Sequence, residues 1–193
     1  RGIAVGDCRP YGAEALALRV NDPEGRELWT WVWPLHRHRD YLGVLMHEPA
    51  PAPAKATETN GTIQVTAADL TVTFSRQTGL LTGVRRGAQI YSLANGPRFT
   101  GGNGTLTNLQ FAADGPDYVV SEKFDGGLKS VFWRVNGNGW LDCNYTYNAE
   151  GAKDILGILF DYPEGQVKAK RWLGEGPYRV WKNRMLGATF GVW

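Results

Sequence analysis

One stretch of fourteen residues concentrates the groups that could do chemistry: Arg171-Trp172-Leu173-Gly174-Glu175-Gly176-Pro177-Tyr178-Arg179-Val180-Trp181-Lys182-Asn183-Arg184. Aromatic rings offer flat faces that stack on the C–H face of a pyranose, while Arg and Asn donate to its hydroxyls and a carboxylate accepts from them. On that reading Trp172, Tyr178 and Trp181 stack, and Glu175, Arg179, Asn183 and Arg184 make the polar contacts of a carbohydrate-binding surface. Gly174 and Gly176 permit backbone angles that other residues avoid, and Pro177 fixes φ and removes a donor, so the stretch must turn tightly. The same composition also suits a structural corner whose tryptophans cap a β core, because aromatics are commonly buried. Residue types alone leave both readings open.

Other chemistry is weaker. A glycosidase needs two carboxyl groups about 5–10 Å apart across a cleft. Asp114, Asp117, Glu122, Asp125, Asp142, Glu150, Asp154, Asp161, Glu164 and Glu175 are available, and most of them read as solvated turn residues. Glu175 stands apart because it is embedded in the aromatic stretch. His36 and His38 would share a strand face, but Arg37 and Arg39 repel a cation and no Cys or Glu cluster completes a site. G-x-S-x-G, C-x-x-C, G-x-x-x-x-G-K-[ST] and H-E-x-x-H are all absent. The Gly101–Gly104 loop precedes no credible helix, which makes a phosphate cradle a poor fit. No catalytic residue, metal site or cofactor is therefore assigned. Two further aromatic groups invite attention. Trp29, Trp31 and Trp33 fall on one face of a strand, as a platform, a core cover or an interface, and Trp133 with Trp140 could build a second aromatic site.

The elements that must position these side chains are strands. The chain has 193 residues, 25 of them Gly, with 12% aromatics including eight Trp, which suits an all-β protein with many turns. A net charge of +2, with dispersed Lys and Arg, leaves no footprint for nucleic acid, and no apolar run approaches the roughly 20 residues of a membrane span. Cys8 and Cys143 read as two free thiols ahead of a disulfide, and their count leaves the compartment open. Arg1-Gly2, without a Met, reads as an internal or processed piece. Strand patterns cover Ala13–Val20 and Glu27–Leu35, separated by an Asn21–Gly25 turn. The proline- and alanine-rich stretch 48–61 reads as a semi-rigid linker or a surface crossover. Beyond it, strands are expected at Thr62–Thr66, Leu70–Phe74 (with Leu70, Val72 and Phe74 inward), Leu80–Val84, Ile90–Leu93, Tyr118–Phe124, Leu128–Val135, Trp140–Tyr147 and Ile155–Tyr162. Asn136-Gly137-Asn138-Gly139 is a hairpin signal. Asn95–Phe99 is expected to break regular structure, and Thr105–Ala112 could be strand or short helix.

Two motifs carry a family resemblance. Phe74-Ser75-Arg76-Gln77-Thr78-Gly79-Leu80-Leu81, followed by Gly96-Pro97-Arg98-Phe99, resembles the start of the C-terminal β-sandwich domain of glycoside hydrolase family 2 β-galactosidases. Trp172, Gly174, Gly176 and Pro177 resemble that domain's later W-x-G-x-G-P motif, with Trp181 in a position where the family has Tyr and Asn183-Arg184 where it often has Asp-Arg. Leu28–Leu35 resembles the final strands of the immunoglobulin-like domain that precedes the sandwich in that family.

The resemblance implies terminal strands of an immunoglobulin-like domain at 1–47, a linker at 48–61 and a truncated galactose-mutarotase-like supersandwich at 62–193. It implies a region without the family's catalytic glutamates, which sit on a (β/α)8 barrel. The function it implies is a non-catalytic, carbohydrate-associated scaffold that binds poly- or oligosaccharide. Its partner would be the remainder of a multidomain glycosidase or a separate catalytic chain, in a periplasmic or secreted bacterial setting ahead of a cytoplasmic one. The alternatives are a small subunit that completes a heterodimeric β-galactosidase-like enzyme, and a stand-alone glycan-active enzyme.

Overall fold

Alternation of apolar and polar residues sets the strands, and glycine, asparagine and aspartate close the turns between them. The computed structural model describes residues 15–35, 50–176 and 188–193. The fold is all-β: fifteen strands and one 3-10 turn, Glu164–Gln166, make up the regular structure of the described residues. No helix among them is long and apolar enough to cross a membrane.

The chain divides into two compact units. The larger is Glu48–Gln166, a β-sandwich. Its seven-stranded sheet runs in the order β13 (Ile158–Asp161), β8 (Ala94–Phe99), β6 (Leu81–Arg86), β5 (Leu70–Ser75), β4 (Thr62–Ala67), β3 (Lys55–Thr59), with β7 (Gln89–Tyr91) also paired to β6. The facing sheet runs β12 (Leu141–Tyr147), β11 (Leu128–Val135), β10 (Asp117–Phe124), β9 (Leu106–Asp114). Inward residues of both sheets meet in one core. Ile63, Val65, Val72, Phe74 and Leu81 come from the larger sheet, and Val120, Val131, Trp133 and Val135 from the smaller. Side-chain period two explains the selection: β4 exposes Thr62, Gln64 and Thr66 while burying Ile63, Val65 and Ala67. Leu70, Val72 and Phe74 point inward as expected. Trp133 joins the layers, 5.4 Å from the Phe74 ring centroid and 6.3 Å from that of Phe160.

Several sequence expectations change in detail. Residues 48–61 are not connector throughout. Lys55–Thr59 lacks proline, so its backbone can pair, and it forms β3 against β4. Just before it, Ala54 is buried and its N–H donates to the Pro116 carbonyl at 2.8 Å. Asn95–Phe99 does not break regular structure but lies within β8, although its Gly96–Pro97 bond is cis. Residues 105–112, undecided in sequence, are largely β9. The Asn136–Gly139 signal is a hairpin turn between β11 and β12, in which Gly139 N–H donates to Asn136 and Asn136 N–H to Trp140.

The smaller unit comprises, among the described residues, 15–35, 167–176 and 188–193. It holds two ribbons. One pairs β1 (Ala15–Asn21) with β2 (Glu27–Pro34) through a turn in which Asp22 accepts from the Arg26 backbone at 2.8 Å and from its side chain at 2.7 Å. The other pairs β14 (Leu173–Gly176) with β15 (Thr189–Val192).

Candidate functional site

Residues 171–176 of the aromatic stretch singled out in sequence enter the structure as β14 and the two residues before it. Trp172 and Trp193 exchange backbone hydrogen bonds of 3.1 and 3.0 Å at the open end of the β14–β15 ribbon. The Trp172 indole N–H donates to the Glu175 carbonyl at 3.3 Å, and the Trp193 indole N–H to the Gly174 carbonyl at 3.2 Å. Gly176 lies under both rings: a Cβ there would sit 2.8 Å from Trp193 and 3.1 Å from Trp172. The glycine is therefore architectural, since only its missing side chain lets two indoles close over the backbone. Trp172 still keeps 45% of its surface exposed, and Glu175 is exposed on β14. Tyr178, Arg179, Trp181, Asn183 and Arg184 lie outside the described residues, as do His36, His38, His47 and Cys8.

A second aromatic constellation forms in the sandwich, and only half of the expected pair belongs to it. Trp133 is 2% exposed and is a core residue, so it cannot face a ligand. The reason is its place on β11, whose buried residues Val131, Trp133 and Val135 alternate with more accessible ones. Trp140 lies beyond the hairpin turn and is 40% exposed. It meets Arg86, Tyr91 and Tyr162 around an open groove of about 360 Å³ floored by Leu70 and Val84.

Strand pairing assembles this groove. Val84 pairs with Tyr91 across the β6–β7 turn, which sets Tyr91 near Arg86, and β13 pairs with β8, which brings in Tyr162 after Asp161. Arg86 braces the rim: one guanidinium nitrogen donates to the Gly139 carbonyl and another lies 3.7 Å from Asp69. No carboxylate lines the groove. Sequence reasoning named Trp140 but missed Arg86, Tyr91 and Tyr162. The available signal was local: Arg86 and Tyr91 flank a turn, and Tyr162 follows a strand end.

The candidate acids resolve into different roles. Asp114 and Asp117 share Arg134, which donates to them at 2.7 and 2.8 Å. The bond to Asp117, then that to Asp114, raises the Arg134 pKa above its ordinary value. Asp161 accepts from Arg98 and from Asn95, Asp125 caps the Thr105 N–H, and Asp142 accepts from Asn136. These contacts lie at strand ends and turns, with Asp117 and Asp142 half-buried.

Glu122 differs. It is 1% exposed on the inward face of β10, between Leu109 and Val131 on the neighbouring strands. Neither of its oxygens completes a hydrogen bond, and neither does the nearby Trp133 indole N–H. Burial pushes its pKa up to about 8, and the Trp133 N–H only partly opposes that rise. The signal for its position was the alternation Val120-x-Glu122-x-Phe124. Cys143 carries a free thiol, raised to about 12 by burial and secondarily by Glu122, so it is a packing group and not a nucleophile.

Among the described residues no group of three or more His, Cys, Asp or Glu side chains gathers to hold a metal. Among the described residues of the sandwich, the groove of Arg86, Tyr91, Trp140 and Tyr162 brings together groups able to stack and to donate hydrogen bonds. No known protein-family model matches the chain, and no curated protein matches it.

Proposed function

We propose that this chain is a non-catalytic, carbohydrate-associated β-sandwich region that holds saccharide in the groove of the larger unit. The observation that carries the proposal is the meeting of three half-exposed rings, Tyr91, Trp140 and Tyr162, beside the Arg86 guanidinium in a groove without a lining carboxylate. Rings supply stacking area at low entropic cost, and the guanidinium and phenol hydroxyls supply directional bonds. The two motif resemblances support a parent among family 2 glycoside hydrolases, with a galactose-mutarotase-like sandwich. Trp172 and Glu175 offer a second, smaller surface in the other unit.

Calorimetric titration of the chain with galactan, xylan and β-glucan oligosaccharides tests the reading. Saturable binding is expected, weakened about tenfold by Trp140→Ala, since loss of one stacking ring removes roughly 1–3 kcal/mol by analogy with base stacking. Trp172→Ala is expected to leave that binding within about twofold. A reversed order of effects would move the site to the β14 corner, and no binding to any saccharide would remove the proposal.

A second reading, a small subunit that completes a separately encoded catalytic chain, draws on the tryptophan row of β2. Trp29, Trp31 and Trp33 stand 56%, 45% and 46% exposed, a row suited to a protein surface. Co-elution with a catalytic chain on size exclusion, lost in a Trp31→Ser variant, would favour it.

A further inference from the structure

The charge of the groove points to a class of sugar. Arg86 contributes the one cation of the lining, and the remaining groups are aromatic, aliphatic or glycine. Its side chain is 44% exposed, so the charge reaches the ligand side of the rim. The rim holds the guanidinium in place from behind: Gly139 accepts from one nitrogen, while Asp69 stands 3.7 Å from another and outside the lining. Two contacts leave most of the five N–H groups of a guanidinium available, and its planar fork matches a carboxylate.

A neutral pyranose would use the rings and offer that fork only hydroxyls, whose uncharged hydrogen bonds are weaker. A pyranose with a carboxylate on C6 would use both, because the carboxyl group projects from the ring edge while the C–H face lies on an aromatic ring. Asp69 offsets part of the cation's field, and solvent screens the rest, so the preference is several-fold in size and not absolute.

Resting on the carbohydrate reading above, we infer that the groove selects uronic-acid-bearing oligosaccharides, with Trp140 and Tyr162 stacking the sugar and Arg86 receiving its carboxylate.

Matched probes test the charge alone. Oligogalacturonate and oligoglucuronate of four residues are each compared with their carboxyl-reduced counterparts, which keep the linkage and lose the anion. Titration of the full chain is expected to show the acidic member of a pair binding about three- to tenfold tighter at low salt, in the range of an exposed charge-assisted contact. The difference is expected to shrink towards unity at about 0.5 M salt. Arg86→Gln should bring the acidic and neutral members of each pair to a common, lower affinity, and Arg86→Lys should retain part of the preference.

Equal affinity for both members overturns the inference but leaves the carbohydrate reading standing. So does a preference that persists in high salt or in Arg86→Gln. Binding of none of the four probes overturns the inference, and the galactan, xylan and β-glucan titrations then decide the carbohydrate reading. If Arg86→Gln fails to fold, because Arg86 braces the Gly139 turn, the salt dependence of the unaltered chain and the Arg86→Lys variant decide the question.

Discussion

Glu122 is an acid in a place that chemistry reserves for a valine. Its carboxyl lies between two sheets with only the Trp133 indole N–H close to it, at a geometry that falls short of a full hydrogen bond, and burial pushes its pKa up to about 8. In the unfolded chain it ionises near 4.5. The unfolded state therefore holds fewer protons between those two values, and stability falls as pH rises through the window from about 4.5 to about 8. Below it the proton is present in both states and the penalty vanishes. Glu122→Gln is accordingly expected to stabilise the protein at pH 7 by up to about 3 kcal/mol and to change it little at pH 4. Urea unfolding of both proteins across that range checks the expectation, and an equal offset at both ends would refute it. Trp133 makes the opposite case. Trp133→Ala removes the ring that joins the layers and should cost about 3–5 kcal/mol, read as a shift in the urea midpoint. Both residues sat in alternating runs from which an inward face could be read. What could not be read was how poorly the carboxyl on the inward face of β10 is partnered, because that depends on the neighbouring strand and the opposing sheet.

At the scale of elements, β8 shows how close approach decides where a strand can form. Gly96 lies where a Cβ would sit 2.2 Å from the Phe160 ring and 2.7 Å from the Leu159 carbonyl. Gly96→Ala should therefore push β13 from β8 and destabilise the sandwich by about 1–3 kcal/mol, measurable by thermal or urea unfolding. Because β13 leads into Tyr162, the same variant should also weaken saccharide binding. Proline at 97 suggested a break when read locally; the pairing of β13 and β6 with β8 overrode that suggestion. The same tertiary preference settled residues 105–112, whose short apolar spacing suits strand or helix, as β9 beside β10. Turns were the most legible elements. Asn21–Gly25 and Asn136–Gly139 close hairpins where their residue types demand it, since Asn, Asp and Gly satisfy turn geometry locally.

At the scale of the molecule, the buried apolar core of the described residues lies inside the larger unit, from Ala54 to Val135. Residues 48–166 on their own are therefore expected to unfold in one cooperative urea transition and to keep the groove. A non-cooperative melt of that fragment would show that the remaining residues contribute to its stability. The all-β class, the turns and most strand faces could be read from the sequence because each depends on contacts a few residues apart. The aromatic richness could be read too, and with it the expectation of a surface for sugars. Which aromatics remain on that surface was decided by tertiary structure alone. Trp133 and Trp140 lie seven residues apart and look equivalent in the chain, yet one closes the core and the other opens the groove. The difference arises because Trp133 faces the second sheet while Trp140 follows the turn that ends it. Arg86 and Tyr91 meet across the local β6–β7 turn, but Tyr162 joins them only through the distant β13–β8 pairing and Trp140 only because the two sheets face each other, and no local pattern records either.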